Sequence, residues 1–130
     1  MAAASKGITP KQVEALCGHW PGVTRDIKWG AELVFSVGGK MFVVMPVDGG
    51  RIALKVEDER FLELSDQPGI IAAPYLARAR WVQVVEPQRF TTQELSEHIR
   101  TAYGLVRAKL TKKLQAQLGE WPPHPEEKRK

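Results

Sequence analysis

Two stretches of this sequence set tryptophan beside cations, Lys28-Trp29-Gly30 and Arg78-Ala79-Arg80-Trp81. Arginine and lysine neutralise phosphates, and an indole ring stacks on bases or wedges between them, so the combination is what a nucleic-acid-binding surface uses. The same residues also suit a plain scaffold, with the rings as core anchors and the cations lying along them. Lys40, Arg51, Lys55 and Lys109 add four more cations at places where the pattern predicts strand ends or a helix end.

Residue types that support catalysis are present without the spacing they need. Gly38-Gly39-Lys40 lacks the glycine spacing of a phosphate loop, and Met41 stands where that loop needs a hydroxyl, so it reads as a hairpin turn. His19, His98 and His124 fall on separate elements with no metal-ligand pattern. Glu94 and Glu97 flank His98, and Glu57, Asp58 and Glu59 run together, but both groups sit where a helix begins and acidic residues are favourable. Cys17 has no cation at helical spacing to lower its pKa and reads as a small buried hydrophobe. No serine has a nucleophile-elbow setting. The expectation is a protein that is not an enzyme and has no cofactor and no metal site.

Charge narrows the choice further. The chain has 130 residues, 43% hydrophobic and 26% charged, with 19 Lys+Arg against 15 Asp+Glu. The whole excess of +4 lies after residue 106, in Arg107, Lys109, Lys112 and Lys113 and in Lys128, Arg129 and Lys130. The first cluster suits the last turns of a helix, where cations oppose the dipole, and the second reads as a solvated tail. A neutral body departs from the pattern of a strong DNA binder. No apolar run approaches the roughly 20 residues that span a bilayer, so no membrane role is expected. One cysteine excludes an internal disulfide, and with no evident leader peptide it suggests the cytoplasm.

These residues need elements to hold them. Residues 1–8 are small and polar and read as a flexible start. Thr9-Pro10 is a helix cap followed by proline at the first position, with Val13, Leu16, Cys17 and Trp20 as the buried stripe and Pro21-Gly22 as the stop. Residues 33–37 and 40–45 form a hairpin about Gly38-Gly39, and Asp48-Gly49-Gly50 turns the chain into 51–56. In that third strand Ile52, Leu54 and Val56 face a core while Arg51, Ala53 and Lys55 face outward. A polar, basic second face is therefore expected. A short helix over 58–64, an extended segment over 70–75 and a strand over 80–85 follow. Last comes a helix opened by the capping box Thr91-Thr92-Gln93-Glu94. Its stripe of Leu95, Ile99, Ala102, Tyr103, Val106 and Leu110 contributes about 1.5 to 3 kcal/mol per large buried member, and the pattern runs on to Leu118. The order is α-β-β-β-α-β-β-α: one α+β domain over 9–118, an antiparallel sheet with helices on one face, and a Pro-rich basic tail over 119–130 in which Trp121-Pro122-Pro123-His124-Pro125 resembles a polyproline ligand.

Taken in order, Pro21-Gly22, Trp29-Gly30, Phe35 to Phe42, Leu54-Lys55, Pro68-Gly69-Ile70, Ala73 to Leu76, Arg80-Trp81-Val82 and Tyr103 to Leu110 resemble the MmcQ/YjbR family over roughly residues 9–114. The resemblance implies a small bacterial protein of poorly defined function, labelled as predicted DNA-binding, with a double-wing or CyaY-like α+β fold that is also similar to secretion chaperones. It also implies a basic or polar residue at Lys40, Lys55, Arg80 and Lys109. The expected function is a non-catalytic DNA-binding domain contacting phosphates through Lys28, Trp29, Lys40, Arg51, Lys55, Arg78, Arg80 and Lys109, with the two glycine hairpins approaching the duplex. The alternative is a protein-interaction or chaperone-like module on the same face, with itself or another protein as partner.

Overall fold

The structure, a computed structural model, describes residues 5–119. The tail over 120–130 and the first four residues lie outside the described residues, and with them the polyproline-like segment and the last cationic cluster.

Helix α1 (Pro10–Cys17) opens on Thr9, whose hydroxyl accepts from the Gln12 backbone N–H while the Gln12 side chain accepts from Thr9, a full capping box. It ends at Gly18, earlier than Pro21-Gly22. Val13, Cys17 and Trp20 are buried as the spacing predicts. Strands β1 (Val23–Lys28), β2 (Glu32–Val37), β3 (Lys40–Pro46) and β4 (Ile52–Lys55) form an antiparallel meander, and β6 (Trp81–Val84) and β5 (Ile70–Ala72) continue it in the order β1-β2-β3-β4-β6-β5. The meander thus has four strands rather than three. β1 escapes the sequence pattern because it is an edge strand in which only Val23 is partly buried, so no alternation marks it.

Helix α2 (Phe61–Ser65) follows a single 3-10 turn, and α3 (Thr92–Ala108) opens on the predicted Thr91–Glu94 box. The last helix is two helices rather than one. At Lys109 and Leu110 the chain leaves α3, and Thr111 caps α4 (Lys112–Leu118) by accepting from the Leu114 N–H. Leu110, Leu114 and Leu118 keep four-residue spacing across the break, so hydrophobic periodicity alone runs straight through it. The break also moves Lys112 and Lys113 to the start of a helix, where its dipole does not favour cations; only Arg107 and Lys109 close a helix as expected.

Residues 5–8, expected to be loose, are tied to the start of α3. Gly7 N–H donates to Phe90 O at 3.0 Å, Thr92 N–H to Ser5 O at 2.8 Å and Thr92 Oγ1 to Gly7 O at 2.7 Å, and Ile8 is buried.

All four helices lie on one side of the sheet, where Phe35, Phe42, Met45, Ile52, Leu54, Leu95, Ile99 and Tyr103 make the main core. The second face is not the polar surface expected. Val34, Val44, Ala73 and Trp81 are buried there with Met41, Ala53 and Leu76 against them, and the segment from Ala73 to Arg80 lies across the sheet. The continuous apolar runs 33–35 and 41–45 reflect strands covered on both faces. Ile52, Leu54 and Val56 do face the main core, with Ala53 and Lys55 partly covered opposite them.

His98 on α3 is held below its ordinary pKa, first by burial and then by the Arg60 charge, against the opposing pull of Glu94 and Glu97. The folded state therefore prefers the neutral ring, and its contribution is present above pH 6.5 and lost as pH falls from there through the lowered folded value. Chemical denaturation above and below pH 6.5 should show stability rising with pH in the native chain and a flatter profile for His98→Gln.

Candidate anion-binding site

Three lysines from separate elements converge where the end of β4, the start of β3 and the end of α3 meet. Lys40, Lys55 and Lys109 line a cavity of about 330 Å³ whose walls are Met41, Ala79, Trp81, Val106 and Leu110. Each is placed by something local. The turn before Lys40 needs positive φ at Gly38 and Gly39, at 59° and 82°. A Cβ on Gly38 would come within 2.7 Å of Leu110 Cδ1, so a larger residue would have to displace that side chain as well as adopt a positive φ where the hairpin seats against the end of α3. Lys55 projects from β4 beside Trp81, its cross-strand partner, and its Nζ donates to Ala79 O at 2.6 Å. Lys109 terminates α3.

Like charges held this close leave a mark. Lys55 is pushed below its ordinary pKa of 10.5, chiefly by burial and next by the Lys109 charge, with Asp58 opposing and Arg80 adding to the depression. An anion bound there would be stabilised by the field that now penalises Lys55. Arg80 sits at the rim. Its Nε lies 3.7 Å from Asp58 Oδ1 in an exposed pair, and its guanidinium lies 5.4 Å from the Phe61 ring. Exposed pairs of this kind are weak, so the contact leaves Arg80 able to turn to a ligand.

The other expected residues are elsewhere. Arg51 is at the far end of β4, where its Nη2 donates to Glu32 Oε2 at 3.1 Å. Lys28 ends the exposed edge strand, Arg78 lies exposed in the 3-10 turn over Ala77–Ala79, and neither lines a described cavity. Gly38-Gly39 and Asp48-Gly49-Gly50 lie at opposite ends of β3, about 20 Å apart at the usual rise per residue, so one hairpin faces the lysines and the other does not. Trp81 is buried as a core anchor, whereas Trp29 is exposed.

Trp29 belongs to a second concavity that sequence reasoning missed. A trough of about 590 Å³ runs over the middle of the second face, floored by Met41, Val44 and Ala53, roofed by residues 73–76, and closed at one end by Trp29, Glu32 and Arg51. Met41 lines both cavities. Among the described residues, three other than glycine have positive φ: Trp29 at 53°, Tyr75 at 67° and Arg80 at 62°. Trp29 and Tyr75 line the trough. In the sequence Tyr75 falls only at the end of the extended segment over 70–75 and within the Ala73 to Leu76 stretch of the family resemblance, neither of which carries a binding signal of its own.

Comparison with known proteins bears on this arrangement. The family model described as YjbR matches residues 19–105, more than half of the chain. The chain belongs to the YjbR family. Lys40, Lys55 and Arg80 fall inside the matched span, and Lys109 just beyond it. A Deinococcus radiodurans protein with a DUF419 domain, of the same family, is similar to this YjbR chain at 27% identity and a TM-score of 0.79, over 90% of this chain and 92% of that one. A Pseudomonas syringae protein shares the fold at 20% identity and a TM-score of 0.60, over 76% of this chain and 99% of that one. No curated protein matches the YjbR chain. Among the described residues no group of His, Cys, Asp and Glu could hold a metal ion, and no helix is long and apolar enough to cross a membrane.

Proposed function

We propose that this YjbR domain binds nucleic acid without catalysing a reaction on it, anchoring phosphates at Lys40, Lys55 and Lys109 with Arg80 at the rim. The convergence of three lysines on one small cavity is the observation that carries the reading. Like charges are costly to hold together and Asp58 offsets them only in part, while the segment that covers the rest of this face leaves them open to solvent on one side. The body of the chain is neutral overall, so affinity rests on this local cluster rather than on a general positive field. Arg51 drops out of the contact set because it stands at the far end of β4 and does not line this cavity. Lys28 and Arg78 are not among the residues that line the cavity, although Arg78 adjoins its wall at Ala79, and they serve as outlying contacts.

Anisotropy titrations of labelled oligonucleotides at several salt concentrations test this directly. With about four phosphates neutralised, log affinity should fall against log salt with a slope of about −3.6 on duplex or about −2.8 on single strand. An affinity indifferent to salt, or none at low salt, would defeat the proposal. A protein partner, or a second copy of the chain, is the second reading. The exposed side chains of Trp29, Ile71 and Tyr75 favour it, and a salt-independent association would support it.

A further inference from the structure

We propose that the trough beside the lysine cavity receives an unstacked nucleobase between Trp29 and Tyr75, so that the nucleic acid taken by this domain is single-stranded. The inference rests on the phosphate-anchoring reading above and adds the ligand's class.

Aromatic residues with positive φ are steric outliers, and each costs the fold about 1 to 3 kcal/mol. Both of these rings also forgo burial, Trp29 being 68% exposed and Tyr75 fully so. Both residues stand in turns, Trp29 beside Gly30 between β1 and β2 and Tyr75 after Pro74, so what the fold leaves unused along the trough is the two exposed rings. A planar apolar ligand entering between the rings and the Met41–Val44–Ala53 floor would cover both by stacking and by burial. Gln83 and the Glu32–Arg51 pair line the same space and offer donors and acceptors for the edge of a base.

Position ties the trough to the lysines. Ala53 on the trough floor and Lys55 in the cationic cavity are neighbours on one face of β4, about 7 Å apart by strand geometry, and Met41 belongs to both linings. A phosphate at Lys55 therefore leaves the attached base within reach of the trough. In a duplex that base is paired and stacked inside the helix, whereas a single strand presents it at no pairing cost.

Glycine substitutions make the test clean, because glycine adopts positive φ freely and Trp29→Gly and Tyr75→Gly remove the rings while relaxing the backbone. Affinity for an oligothymidylate of about 12 nucleotides and for a duplex of equal length would be measured together with thermal stability. Each variant is expected to bind the oligothymidylate about 10-fold more weakly or worse, with unchanged or raised stability and duplex affinity little altered. If the native chain binds both nucleic acids equally and the glycine variants bind like it, the trough is not a base site, while the lysine reading stands. If the variants instead lose only an apolar peptide ligand, the trough serves a protein partner and the inference falls. Failure of the native chain to bind either nucleic acid at low salt would remove both proposals.

Discussion

Replacing Lys55 by glutamate is expected to abolish most nucleic-acid binding while leaving the fold close to its native stability. The loss should be about 100-fold at low salt, since one cation disappears and an anion is placed among the remaining phosphate contacts. The stability half of the result follows from the sign of the Lys55 shift. Its folded pKa lies below 10.5, so the charged lysine is penalised in the native state at neutral pH, and that penalty is relieved as pH rises through the folded value toward 10.5. A carboxylate at this position would meet Lys109 and Arg80 as opposite charges, offsetting the like charge of Asp58 and the lost bond to Ala79 O. Thermal melts should accordingly show little loss for Lys55→Glu near neutrality, and the upward drift of native stability on approaching pH 10.5 should vanish. A variant that lost binding and stability in parallel would return Lys55 to a scaffolding role.

Tyr103→Ala is expected to produce the largest destabilisation, about 3 to 5 kcal/mol. Tyr103 is fully buried on α3, its ring centroid 5.0 Å from that of Trp20 and 5.5 Å from that of Phe42, so it fastens the helix layer to β3 and to the end of the first helical segment. Its hydroxyl donates to Pro21 O at 2.8 Å and accepts from Arg107 Nη1 at 3.0 Å. Tyr103→Phe keeps the ring contacts and loses only these polar ones, at about 1 to 2 kcal/mol. Urea denaturation of the two variants separates packing from hydrogen bonding. Equal losses would mean that the hydroxyl, and not the ring, holds the layers together.

What the sequence disclosed depended on whether the signal was local. Thr9 and Thr91 announce their helices because a cap is decided within four residues, and the α3 stripe is legible because one helix face meets one core. Thr111 is an equally good cap, yet the leucines on either side of it keep helical spacing and conceal the break. β1 shows no period because its order is imposed by pairing with β2 and not by a buried face of its own. The apolar second face was misjudged from β4 alone, the strand with the clearest alternation, whereas β2 and β3 carry the buried residues on both sides. For the candidate site, Lys40, Lys55, Arg80 and Lys109 could each be named from the residues and the family resemblance. Their convergence could not be read, since the three lysines that meet stand on two strands and a helix end as far apart in sequence as positions 40 and 109. Tyr75 was passed over because nothing in the residues around it foretells a backbone that turns its ring outward.

The buried thiol of Cys17 has a practical corollary. It is the only cysteine in the chain, no part of it reaches solvent, and burial raises its pKa to about 12. Thiolate is the form that maleimides and iodoacetamides attack, so Cys17 stays silent toward such reagents in the native protein. A second cysteine placed at exposed Gln88 would take a fluorophore or spin label alone, with the natural residue left in place.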